Sequence, residues 1–199
     1  MRSILAMTFI VTAALSTSSQ TATLPANQCT VKVAPVIRGI RLGMTMNDVL
    51  AMFPGSRENE MVQSALTAGE NSGSFGLAGF LIFPSQYPTK ERFSGISSVT
   101  FTFLDGRLAQ YGVVYDRPPW PHAADFINKI AGAFKLPTAE YWTADQGVYK
   151  ALSCDGFKLR TSVNNPGASI SVLTSEDPFK IQGDRRAAAE EKQRQEFRP

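Results

Sequence analysis

The chain is poor in the residues that chemistry most often uses. Its 199 residues include a single histidine and two cysteines. The lone His122 has no second imidazole for metal binding, and no Gly-x-Ser-x-Gly elbow supplies a nucleophile for it to activate. His-Glu-x-x-His, Cys-x-x-Cys, EF-hand spacing and the dinucleotide glycine pattern are also missing. No catalytic residue, cofactor or metal is therefore expected. Charge is sparse: 19% of residues carry it, and the formal net is +3. No Lys/Arg run interleaved with aromatics tracks a phosphate backbone, so nucleic acid is not an expected partner. Past Leu15 there is no apolar run near the about 20 residues that span a bilayer, so the mature chain is expected to carry no transmembrane segment.

What is present begins with a processing signal. Arg2 precedes the apolar run SILAMTFIVTAAL (3–15), followed by the small polar stretch STSSQTAT. A positive start, a short apolar run and a small-residue exit describe a secretory signal peptide over residues 1–22, with cleavage between Ser18 and Ala22. A lipoprotein anchor needs a small residue before the modified cysteine. Cys29 follows Gln28 and lies far from the apolar run. The expectation is a soluble exported protein, periplasmic or secreted. In such a compartment Cys29 and Cys154 most simply form one disulfide. It would pin the mature N-terminus to the second half of the chain, worth up to about 5 kcal/mol in the chain-entropy account.

Residues 37–55, IRGIRLGMTMNDVLAMFPG, read as an extended run, a turn and a short helix. Thr45 stands at the cap, Asp48 three residues on completes a capping box, and Met44 and Val49 hold the staple positions. Met46, Val49, Leu50 and Phe53 share one face, and Pro54-Gly55 stops the helix. Residues 56–73 are polar and read as irregular, with at most a helical turn around NEMVQSAL. SFGLAGFLIF (74–83) reads as a strand whose Gly73, Gly76 and Gly79 permit close backbone approach rather than cradling phosphate.

Residues 96–116 give the clearest pattern. Val99, Phe101 and Phe103 alternate with Ser98, Thr100 and Thr102, and Asp105-Gly106 marks a hairpin. A two-residue loop sets Phe103 beside Leu108. A three-residue loop gathers Val99, Phe101, Ala109, Tyr111 and Val113 on one face and is preferred for that reason. A second helix carries Phe126, Ile127, Ile130 and Phe134, with Pro121 in its first turn. Strands follow over 147–163 and 168–174, with Asp155-Gly156 a turn and NNPG (164–167) between them. Asp105, Asp116, Asp145, Asp155 and Asp177 fall in turns or at strand ends, where Asx side chains bond locally. The order of elements suggests two tandem units, 36–116 and 117–180, each an amphipathic helix on an antiparallel sheet, hence an α+β fold. Residues 183–199 mix both signs of charge and read as a solvated helix or a disordered tail.

GIRLGMTMNDVLAMFPG resembles the helix-opening phrase of the BamE (SmpA/OmlA) family, and FTFLDGRLAQYGVVYD resembles the strand–turn–strand that follows in such domains. The tandem helix-plus-sheet order is similar to the beta-lactamase inhibitory protein type. The resemblance implies an exported, non-enzymatic module that binds another envelope or extracellular protein. Tyr111, Tyr115, Trp120, Tyr141 and Trp142 are the candidate contact residues, because Tyr and Trp combine rigid area with a polar tip. The alternatives are an envelope hydrolase using Asp and Tyr side chains, and a small-ligand or lipid carrier.

Overall fold

In the computed structural model, residues 29–164 and 167–198 are described, so the signal-peptide reading of 1–22 lies outside them. Helix α1 is Met46–Ala51, with Val49 and Leu50 buried. The Thr45 hydroxyl accepts from the Asp48 N–H at 3.1 Å, and the Thr45 N–H donates to Asp48 Oδ2 at 2.9 Å, which is the expected capping box. The preceding phrase is tied to the sheet. Gly43, at φ +81°, donates to the Leu108 carbonyl at 2.8 Å, and the Leu108 N–H returns to the Met44 carbonyl at 2.8 Å. Beyond α1, Phe53 stacks on Phe93 with ring centroids 4.7 Å apart.

The polar stretch 56–73 is more ordered than its composition suggests. It contains α2, Glu60–Glu70, opened by Asn59, whose side chain accepts from the Met61 N–H at 3.0 Å. Among its described side chains, only Val62 and Ala65 are buried. That narrow stripe suffices because α2 lies close against the first strand: a β-carbon on Gly69 would sit 3.1 Å from that of Ala78. Tertiary packing, not local propensity, makes this helix.

The strands are β1 (Leu77–Ile82), β2 (Ile96–Leu104), β3 (Arg107–Tyr115), β4 (Thr143–Asp145), β5 (Tyr149–Ser153), β6 (Phe157–Asn164) and β7 (Gly167–Thr174). The β2–β3 hairpin corrects the preferred register. Leu104 pairs with Arg107, so the loop is the two-residue Asp105-Gly106, with φ of +49° and +73° as a type I′ turn requires. Phe103 then faces Leu108, and a shift between Thr102 and Phe103 brings Phe101 opposite Tyr111 and Val99 opposite Val113. The extra residue, Ala109, forms a bulge that restores the apolar face a simple two-residue loop would have broken.

Helix α3, Ala123–Phe134, buries Phe126, Ile127, Ile130 and Ala131. His122 is its N-cap, without a side-chain bond to the helix, so Pro121 precedes the helix rather than lying in its first turn. The three-residue β4, hidden by the polar composition of 143–148, was not anticipated from sequence.

The strand pairings are antiparallel and join all seven strands into one sheet of order β1-β2-β3-β7-β6-β5-β4. The pieces expected over 36–116 and 117–180 thus meet at a β3–β7 seam. One row across the sheet runs Phe80, Phe101, Tyr111, Val172, Leu159 and Leu152, and all of these are buried. Side chains from α1, α2 and α3 join that same cluster.

The Cys29–Cys154 disulfide is present, across a separation of 125 residues. Helix α4, Pro178–Glu196, includes most of the charged stretch and is helical, with only Pro178 buried. No described helix is long and apolar enough to cross a membrane.

Candidate functional site

The five aromatics singled out from the sequence do not form one surface. Tyr111 lies fully inside, its hydroxyl donating to the Pro35 carbonyl at 2.6 Å. Burial, and then the neighbouring Tyr115, push its phenol well above the usual tyrosine range. Trp142 is also buried, its indole N–H donating to the Pro137 carbonyl at 3.0 Å. Neither can touch a partner, which corrects that expectation. The Ala109 bulge turns Tyr111 inward, and the turn after α3 folds Trp142 under the chain. Tyr115 and Trp120 are half-buried and meet Phe126 edge-on, at centroid distances of 5.9 and 5.5 Å. Burial raises the Tyr115 phenol too. Only Tyr141 is exposed, at 48%.

The surface that pairing and alternation do assemble is the other face of the sheet. Directly across it run Leu81, Thr100, Gly112, Ser171, Arg160, Ala151 and Thr143, one residue per strand. Ser98, Thr102, Val114, Ser169 and Tyr149 share this side by the period of two along each strand. Gly112 is required at the centre: a β-carbon there would lie 2.6 Å from Thr100 Oγ1 and 3.2 Å from Ser171 Oγ. The Ser162 and Ser169 hydroxyls are 2.9 Å apart on the same face.

Toward β4 the face becomes charged. Asp145 accepts from Arg160 Nε at 2.7 Å and lies 3.3 Å from Lys158 Nζ. Desolvation works against its ionisation, but the two cations outweigh it and hold the carboxyl below its usual range. Along this face hydroxyls and small residues border a cationic pair partly neutralised by one carboxylate. That chemistry suits hydrogen-bonded contact with another surface.

Sequence reasoning missed this face because it looked for aromatics. The signal was present in the Ser/Thr positions of SSVTFTF and ASISVLT, which alternate with the core residues. At the opposite end of the same side, α4 is held down. Gln182 Nε2 donates to the Ser74 carbonyl at 3.0 Å, and Arg185 donates to the Phe75 carbonyl at 3.0 Å. Arg185 also grips both Asp105 oxygens at 2.8 Å, which lowers the Asp105 pKa.

Among the described residues, no group of three or more His, Cys, Asp or Glu side chains is spaced to hold a metal ion. Comparison with known proteins finds no matching family, no matching curated sequence and no matching solved structure.

Proposed function

We propose that this protein is an exported, non-enzymatic module that binds another protein of the envelope or extracellular space through the open face of its sheet. The observation that carries the reading is the asymmetry of the sheet. Helices α1, α2 and α3 supply the core on one side, while the row across the other is small or hydroxylic in five of seven strands, with Leu81 of β1 and Arg160 of β6 the exceptions. The disulfide supports an oxidising compartment.

The resemblance to BamE-like and beta-lactamase inhibitory protein-like units supports the same reading. A tandem origin of 36–116 and 117–180 is in keeping with the sheet order, in which three strands of the first part and four of the second meet through their last members, β3 and β7.

The test is crosslinking capture from the native compartment by the mature protein, with the cleaved N-terminus read by mass spectrometry. Thr100→Arg, Ser171→Arg and Tyr149→Ala should each lower capture of the same partner by about tenfold, the size expected of central contact residues. Far-UV circular dichroism should be unchanged. Undiminished capture by all three variants removes this face from the account.

A further inference from the structure

The sheet ends in two edges of different character. At one, β4 has three residues and closes on Asp145 and its cations, a form of edge that resists further pairing. At the other, β1 has six residues, Leu-Ala-Gly-Phe-Leu-Ile, with neither charge nor proline. The Asp105 N–H donates to the Gly76 carbonyl at 2.8 Å. The antiparallel alternation that continues from this bond aims the main-chain groups of Ala78, Phe80 and Ile82 at β2 and turns those of Leu77, Gly79 and Leu81 outward. Among the described residues, no hydrogen bond outside the β1–β2 ladder reaches those outward groups.

A groove of about 410 Å³ lies on this edge. Met61, Ala65 and Ala68 of α2 form one wall, Phe179 and Thr102 line the other, and no lining residue is charged. The groove touches both the core side and the open side of β1, so it straddles the strand rather than sitting on one face. Phe179 is 53% exposed and Met61 48%, large apolar surface placed beside unpaired main chain.

We propose that this edge binds an extended, uncharged peptide segment of another protein as one more strand of the sheet. Its main chain pairs with Leu77, Gly79 and Leu81, and its side chains alternate between the small-residue wall of α2 and the ring of Phe179. A second copy fits less well. Pairing β1 with β1 about a two-fold axis puts both α2 helices on the same side of strands about 4.8 Å apart. Packed helices need about 8–10 Å, and α2 already lines that strip. This edge shares Leu81 and Thr102 with the open face but none of the positions varied to test that face, so either surface can fail without the other.

The experiment uses the full mature chain and a fluorescent, end-blocked peptide alternating Val with Thr and Ser. Anisotropy should show saturable binding. N-methylating one set of alternate residues removes the pairing donors and should weaken binding by about tenfold, whereas methylating the other set leaves it unchanged. Ala68→Lys, at an exposed helical position, should weaken binding by a similar factor with the fold intact. Equal binding of the two methylated peptides, or undiminished binding by Ala68→Lys, overturns the proposal, as does absence of saturable binding. So does sedimentation showing a dimer that excludes the peptide and dissociates on Ala68→Lys, since it names a second copy as the occupant.

Discussion

Tyr111 and Thr161 show how differently two buried hydroxyls can fare on the same face of one sheet. Tyr111 has its acceptor in Pro35, and burial favours its neutral form. A phenol whose folded pKa exceeds its unfolded value near 10 leaves stability intact below about pH 10 and erodes it above, as the unfolded chain ionises first. The protein should therefore unfold in strong alkali, with Tyr111 ionising only as it does. Parallel ultraviolet and circular-dichroism titrations read both events, and full ionisation of every tyrosine with the fold intact would contradict the assignment. Thr161 is 1% exposed, and its Oγ1 has no hydrogen-bond partner. An orphaned hydroxyl costs about 1–3 kcal/mol. Thr161→Val keeps the shape and is expected to stabilise the protein by about 1 kcal/mol in urea unfolding.

Among the elements, α4 is lightly attached, with only Pro178 buried in its 19 residues. Its hold on the sheet is Arg185 on Asp105 and on the Phe75 carbonyl, with Gln182 on Ser74. The ion pair is largely exposed, so solvent screens it and it adds little to global stability. Arg185→Ala should thus leave the urea midpoint nearly unchanged yet speed amide hydrogen exchange throughout α4. Slow exchange retained in that variant would show that another contact is the anchor. The elements also mark where sequence reasoning succeeds. Thr45, Asp48 and Pro54-Gly55 bound α1 by local chemistry, so it was legible, as were the alternating β2 and β3. α2 and β4 were not, because their stability comes from partners distant in the chain. The hairpin register was half legible: alternation places Val99, Phe101, Tyr111 and Val113 on one face, but the two-residue loop with a bulge at Ala109 that achieves this, in place of the preferred three-residue loop, is set only when the strands pair. The same limit hid the open face, whose rows exist only once strands from 96–115 and 149–174 pair.

At the scale of the whole molecule, the Cys29–Cys154 bond closes a loop of 125 residues that contains most of the fold. Its reduction should lower the unfolding free energy by about 4–5 kcal/mol. Comparing urea titrations with and without reductant measures this, and coincident curves would show that the tether adds nothing. The β3–β7 seam has a consequence of a different kind, in time rather than in energy. β3 ends at Tyr115, but the strand that completes its central pairing begins only at Gly167. A chain made from its N-terminus carries Arg107–Tyr115 paired with β2 on one side and open on the other until the later stretch arrives. For that interval the unfilled side of β3 is a template on which a wrong strand can dock, so the order of synthesis itself exposes the nascent half to mispairing.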